Sequence, residues 1–115
     1  MITLKKEKEF SIIYQKGQKK HTKYVIIIFL NNNLNEKRFG FVASKKTGNA
    51  VKRNRIKRLF REVVRLNYNK FKENYDYIII GKAVLKDNID SLKYEDMEKD
   101  ILKGIIKWEK YWFSS

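Results

Sequence analysis

Apolar residues recur along this chain with the periods of helices and strands in turn. From Lys6 to Lys16, the positions Phe10, Ile13 and Tyr14 have the i, i+3, i+4 spacing of a short amphipathic helix, and Gly17 supplies its stop. Tyr24-Val25-Ile26-Ile27-Ile28-Phe29-Leu30 is unbroken, β-branched and aromatic, and it runs into the turn-forming Asn31-Asn32-Asn33. Being apolar at both odd and even positions, it predicts a strand covered on both faces. Arg38 to Ala43 predicts the return strand of a hairpin, and Tyr75 to Ile80, closed by Gly81, a further strand. A weaker alternation from Lys19 to Lys23 leaves an additional short strand open. Between Asn49 and Asn67, Ile56, Leu59, Phe60, Val63 and Val64 gather on one side of a helix. From Tyr94 to Phe113, Met97, Ile101, Leu102, Ile105 and Trp108 form the core stripe of a last helix. Without linkers or repeats, the order helix, three strands, helix, strand, helix describes one α/β sandwich domain over residues 1–115.

Composition narrows the chemistry. A chain of 115 residues with 43% hydrophobic and 14% aromatic content can build a core, which argues against wholesale disorder. It has no cysteine, so disulfides, thiolate metal sites and cysteine nucleophiles are excluded together. The longest apolar run falls far short of the roughly 20 residues of a membrane span, and no apolar signal core opens the chain. The expectation is a soluble protein of the cytoplasm with no membrane partner.

Charge changes the picture most. The formal net charge is +14, and five of the six arginines lie between Arg53 and Arg65. From Lys45 to Arg65 there are nine basic residues and one acid, Glu62. On the helix, Asn54, Lys57, Arg58, Arg61 and Arg65 fall at i, i+3, i+4, i+7 and i+11, opposite the apolar side, with Arg53 at the ridge's edge and Arg55 on the other flank. Like charges at these spacings repel by a few tenths of a kcal/mol per pair. An external polyanion that offsets this repulsion is the natural partner, and the planar arginine fork suits phosphates and base edges. Upstream, Lys45 and Lys46 precede the helix N-terminus, whose unpaired N–H groups favour an anion. The Lys45-Lys46-Thr47-Gly48-Asn49 turn lacks the Gly-x-x-x-x-Gly-Lys-Ser/Thr pattern of a nucleotide-triphosphate loop. His21, the sole histidine, has no partner at a catalytic spacing, and Glu95, Asp96, Glu98 and Asp100 suit a helix N-terminus better than a metal site.

The run Ser44-Lys45-Lys46-Thr47-Gly48-Asn49-Ala50-Val51-Lys52-Arg53-Asn54-Arg55-Ile56-Lys57-Arg58-Leu59-Phe60-Arg61-Glu62 resembles the signature of the bacterial ribonuclease P protein subunit, with Arg53-Asn54-Arg55 as its central motif. The resemblance extends to Phe10 to Gly17, Arg38 to Gly40 and Asp76 to Ile80, so it covers nearly the whole chain. It implies a small basic protein that assists a catalytic RNA in removing the 5′ leader from precursor tRNA. It further implies that the protein itself supplies no catalytic residue and needs no other protein partner, with Mg2+ bound mainly by the RNA.

The resemblance implies a ribosomal-protein-like fold with a left-handed strand–helix–strand crossover, against the usual right-handed form. It also implies a cleft between the first helix and the sheet for the single-stranded leader, lined by Phe10, Tyr14, Val25 and Ile27. Arg53, Asn54, Lys57 and Arg61 match positions facing the leader. Lys45, Lys46, Arg55 and Arg58 are assigned to the backbone of the catalytic RNA, and Arg65 extends the RNA-binding ridge. The rivals are an RNA-binding structural or ribosomal-type module without a role in cleavage, and a DNA reader, which lacks a helix-turn-helix partner here.

Overall fold

The computed structural model describes the backbone of residues 1–113 and the side chains of residues 1–105. The elements are β1 (Ile2–Thr3), α1 (Glu7–Lys16), β2 (Gln18–His21), β3 (Val25–Asn31), β4 (Lys37–Val42), α2 (Ala50–Leu66), β5 (Tyr75–Gly81), α3 (Leu85–Asn88) and α4 (Tyr94–Phe113). The expected order is present and the weakly patterned strand forms as β2, but β4 is not the hairpin partner expected for β3, because β5 lies between them; β1 and α3 are additions too short to carry a period. Trp108 lies outside the described side chains.

The strands form one mixed sheet in the order β1-β4-β5-β3-β2. β5 is central, antiparallel to β3 and parallel to β4, and α2 makes the crossover between the two parallel strands. Residues paired across the sheet share a face, so each face can be read from the register. Val25, Ile27, Phe29, Phe39, Tyr77 and Ile79 point to one side, where they pack with Ile56, Phe60, Val63 and Val64 of α2 and Met97, Ile101 and Ile105 of α4. The other side carries a smaller cluster in which Ile13 of α1 and Leu4 meet Ile28 and Ile78. The molecule is thus α1, sheet, then α2 with α4.

Polar contacts fix the helices on these faces. Arg38 on β4 donates from Nε and Nη2 to both oxygens of Asp76 on β5, each at 2.7 Å, and from Nη1 to Glu9 of α1 at 2.7 Å. Asp76 is buried and also accepts from Asn32 Nδ2 at 2.8 Å. These carboxylates, Asp76 foremost through its hydrogen bond, hold the Arg38 guanidinium above its ordinary range. On the opposite layer, Asn67 at the end of α2 donates to Glu98 of α4 at 2.8 Å, and the Tyr94 hydroxyl donates to the same oxygen at 2.6 Å. Burial, then the bond to Glu98, pushes the Tyr94 hydroxyl up to about 12.

One glycine lets α1 sit close. A Cβ at Gly40 would stand 2.6 Å from Phe10 Cε1, so the Phe10 ring lies directly on the β4 backbone.

Removing a partner from a largely buried ion pair leaves an uncompensated charge. Asp76→Ala is expected to lower unfolding free energy by about 2–4 kcal/mol, and Glu9→Ala, at the more exposed end of the network, by about 1 kcal/mol or less. Urea denaturation of the two variants measures both.

Candidate nucleic-acid interface

The basic helix is held at its start by short-range contacts. Residues Lys45–Thr47 form a single 3-10 turn, in which Ser44 Oγ accepts from the Lys46 N–H at 3.3 Å and the buried Thr47 hydroxyl donates to Ser44 O at 2.6 Å. Gly48 has φ +124, a region that an L side chain rarely adopts. Asn49 then caps α2 by accepting from the Lys52 N–H at 3.0 Å. Lys45 and Lys46 remain exposed beside this first turn.

Within α2, Ile56, Phe60, Val63 and Val64 are fully buried, and Leu59 packs against the same core. The basic ridge expected from the sequence runs along the outer side of α2, and its two margins meet different neighbours. Arg53, Lys57 and Arg61 follow at i, i+4, i+8 along the flank nearer β4, where the Arg61 guanidinium lies 5.4 Å from the centre of the Phe41 ring. Arg55 and Arg58 occupy the other flank. There they rim a shallow cavity floored by Leu59, Ile89 and Leu92. Asn54 and Arg65 are exposed between the flanks.

The flanks also differ in how their charge is compensated. Arg55 Nη1 donates to Asp90 Oδ1 at 2.5 Å, and Lys52 reaches the same carboxylate at 3.6 Å. Arg65 is paired with Glu62, whose carboxyl it holds below the usual range. Among the described residues, Arg53, Lys57, Arg58, Arg61, Lys45 and Lys46 make no ion pair.

The leader cleft needs a correction. Val25 and Ile27 are fully buried beneath α2 and α4, not open toward α1. The residues of β3 that face α1 are Ile26, Ile28 and Leu30. A fully apolar strand gives no sign of which face is which, and a one-residue change of register exchanges the two sets. The strand also begins at Val25 instead of Tyr24.

A groove does exist on the α1 side. Glu9 bonds Arg38 of β4, Phe10 covers Gly40 of β4, and Gly17 lies against Ile28 of β3, so α1 crosses the strands. It covers the paired rows through Arg38 and Gly40. The next row, Val42–Ile80–Ile26–His21 by register, is left beside it, with Val42, Ile80 and Ile26 only partly buried and His21 exposed. Tyr14 leaves α1 on the flank opposite Glu9 and therefore borders this row. Its ring centre is 6.3 Å from that of Phe10, it is 38% exposed, and partial burial pushes its hydroxyl up from the ordinary value. The result is an aromatic wall over an aliphatic floor that ends near the first turns of α2. Phe10 covers Gly40, and Tyr14 lies beside it. Val42, Ile80 and Ile26 were missed, and only strand pairing could have revealed them.

Among the described residues, no three His, Cys, Asp or Glu side chains are placed to hold a metal ion, and no helix is long and apolar enough to cross a membrane. The acids that open α4 have structural contacts instead: Asp96 accepts from the Lys93 N–H, Glu98 from Asn67 and Tyr94, and Asp100 from the turn after β2.

The sequence pattern of the family described as Ribonuclease P matches residues 2–109. The ribonuclease P protein component of Fusobacterium nucleatum is 55% identical over 101 residues, covering 88% of this chain and 91% of that protein. The corresponding protein of Alkaliphilus metalliredigens is 41% identical over 104 residues and 90% of each chain. Among solved structures, Staphylococcus aureus RNase P protein superposes with a TM-score of 0.79 at 30% identity, covering 96% of both chains. The Thermotoga maritima RNase P protein, with a TM-score of 0.83 at 24% identity over 90% of this chain and 94% of that one, shares the fold. A family match from the second residue almost to the end of the last helix, joined to relatives of the same length and architecture, establishes that this chain belongs to the ribonuclease P protein family.

Proposed function

We propose that this protein component of ribonuclease P holds the single-stranded 5′ leader of precursor tRNA in the groove between α1 and the sheet while α2 docks on the ribonuclease P RNA. Family membership makes the chain a subunit of that tRNA-processing ribonucleoprotein, with the RNA as its partner. The observation that carries the leader reading is the partly buried row Val42–Ile80–Ile26 beside Phe10 and Tyr14, together with cations of α2 that have no ion pair among the described residues. Unstacked bases can lie on such a wall, whereas a duplex is too wide and too rigid to enter it.

The two flanks of α2 divide the polyanion between them. Arg53, Lys57 and Arg61, with Asn54 beside them, lie toward the groove and take leader phosphates. Arg55 and Arg58, with Lys45 and Lys46 at the helix start, take the RNA backbone, and Arg65 extends that contact. Arg55 must loosen its bond to Asp90 to do so; an exposed pair of this kind is worth about 0–1 kcal/mol, a small cost. Cleavage is assigned to the RNA, with the polypeptide supplying position and charge. Magnesium is assigned to the RNA as well. By neutralising phosphates, the protein lowers the magnesium that the RNA needs to fold and bind substrate. Such work on precursor tRNA places the protein in the cytoplasm.

The direct test is cleavage of a leader-bearing precursor tRNA by a bacterial ribonuclease P RNA at low magnesium, with and without the protein. Stimulated release of the mature 5′ end, together with tighter binding of precursor than of mature tRNA, is expected. Tight RNA binding without stimulation of a compatible RNA identifies a structural module instead. Arg61→Ala should weaken precursor binding and reduce the slope of log affinity against log salt by about 0.7, the value for one single-strand phosphate. The groove assignment separates neighbouring isoleucines. Ile27→Ala should cost about 2–5 kcal/mol of stability, while Ile26→Ala should mainly weaken precursor affinity and leave mature tRNA affinity unchanged. Chemical denaturation and equilibrium binding on the same two variants distinguish these outcomes.

A further inference from the structure

The shallow cavity on the α3 side of α2 is an apolar slot with a cationic rim. It measures about 320 Å³ and is lined by Arg55, Arg58, Leu59, Glu62, Ile89 and Leu92. The helix gives one wall, since Arg55, Arg58, Leu59 and Glu62 recur at i, i+3, i+4 and i+7. The segment joining α3 to α4 gives the other through Ile89 and Leu92. That segment is tied down by its own hydrogen bonds: the Ile89 N–H donates to Leu85 O at 2.9 Å, the Leu92 N–H to Asn88 O at 2.9 Å, and Asn88 Nδ2 to Val84 O at 2.8 Å. Ile89 is buried, and Leu59 and Leu92 pack against the main core, so the fold itself fixes the floor.

The polar groups at the rim are unequally committed. Arg55 Nη1 donates to Asp90 Oδ1 at 2.5 Å, which ties its guanidinium to the opposite wall. Glu62 is paired with Arg65 of its own helix. Arg58 is exposed and makes no ion pair among the described residues. An aliphatic floor offers nothing to a phosphate, whose charged oxygens need hydrogen-bond donors or water. A nucleobase matches both parts of the slot: its face can lie on Leu59, Ile89 and Leu92, and a planar guanidinium can stack on it. An apolar side chain of a protein would gain the same floor but nothing from the cations at its edge, and the partner that family membership gives this chain is RNA.

We propose that the cavity between α2 and the α3–α4 segment receives one unstacked nucleobase of the ribonuclease P RNA, held between the floor of Leu59, Ile89 and Leu92 and the guanidinium of Arg58. This inference rests on the docking of α2 on that RNA and deepens it. Arg58 does more than add charge toward the backbone, because its plane covers the base. Duplex RNA keeps its bases stacked and paired, so the nucleotide comes from a loop, bulge or junction. Counterion release attracts α2 to any polyanion alike. A slot that only an extruded base can fill lets the protein tell its own RNA from the rest.

Stacking and charge separate in the salt dependence, because each phosphate contact adds about 0.7–0.9 to the slope of log affinity against log salt and a stacked base adds none. The test is equilibrium binding of the full chain to a bacterial ribonuclease P RNA over a range of salt. Arg58→Lys keeps the charge and loses the plane; it should bind the RNA roughly three- to tenfold more weakly with the slope unchanged. Leu92→Ala should show the same pattern, with urea denaturation run beside it to establish that the variant is folded. Arg58→Ala should lose affinity and slope together. Chemical probing of base edges should find a nucleotide of the RNA protected by the unmodified protein and not by Arg58→Lys. An abasic residue at that position should reproduce the loss with the unmodified protein and add nothing with the variant. If Arg58→Lys binds as the unmodified protein does while Arg58→Ala loses affinity and slope, Arg58 meets a phosphate: the docking of α2 stands and the base proposal is overturned. Additive losses from the abasic residue and the variant overturn it too. A loss confined to precursor tRNA binding by the assembled holoenzyme assigns the cavity to the substrate and does the same. If neither Arg58 variant changes RNA affinity, α2 does not dock through this margin, and both readings fall.

Discussion

A sheet whose central strands are apolar on both faces must be covered twice, and this chain supplies unequal covers. On one face, α2 and α4 lie side by side and bury Val25, Ile27, Phe39, Tyr77 and Ile79 almost completely. On the other there is only α1, ten residues long, about 15 Å by 10–12 Å with its side chains. Five strands at about 4.8 Å, some of them seven residues long, present a larger area than that. The remainder is the row Val42–Ile80–Ile26. The groove is what a short helix leaves uncovered, and the Arg38–Asp76–Glu9 contacts keep α1 toward the opposite end of the strands so that it stays open.

The same inequality explains how α2 tolerates its charge. Fully burying an aliphatic or aromatic side chain is worth about 1.5–3 kcal/mol, and α2 buries four of them, whereas like-charge neighbours on a helix cost only a few tenths each. Packing therefore wins, and the helix forms without a counterion for each arginine. Its cations are free to be selected for placement. Among the described residues, those on the β4 flank make no ion pair, while the acids available nearby, Asp90 and Glu62, pair with Arg55 and Arg65.

Much of this was legible in the sequence because periodicity reports which residues are buried. The stripe Ile56, Leu59, Phe60, Val63 and Val64 fixed the orientation of α2, and Asn49 and Gly48 marked its start. What periodicity does not report is which of two buried faces a strand residue occupies, so Val25 and Ile27 were placed in the cleft while Ile26 was passed over. The pairing of β3 with β5 and β2 settles the faces, and pairing is non-local. What meets each margin of the basic ridge was hidden for a related reason. A wheel gives angles about one axis, but the position of β4 and α3 beside that axis decides that Arg61 meets Phe41 and Arg55 meets Asp90. β1 and α3 were missed because two and four residues carry no period.

Asp100 shows how a residue can be read correctly as not catalytic and still be understated. Its place among the acids near the start of α4 suggested dipole compensation, which an exposed carboxylate in the first turn performs. It lies further along, buried against the turn after β2, and its three hydrogen bonds make it a structural counterpart of Asp76 at the other end of the sheet. Each buried carboxylate fixes a connection to β3: Asp76 through Asn32, Asp100 through Thr22. In both places the acid satisfies donors inside the fold: Asp76 pairs with Arg38, and Asp100 accepts from Thr22 and two backbone N–H groups. Placing the acids within the fold lets the same sequence be well held internally and strongly positive at its surface.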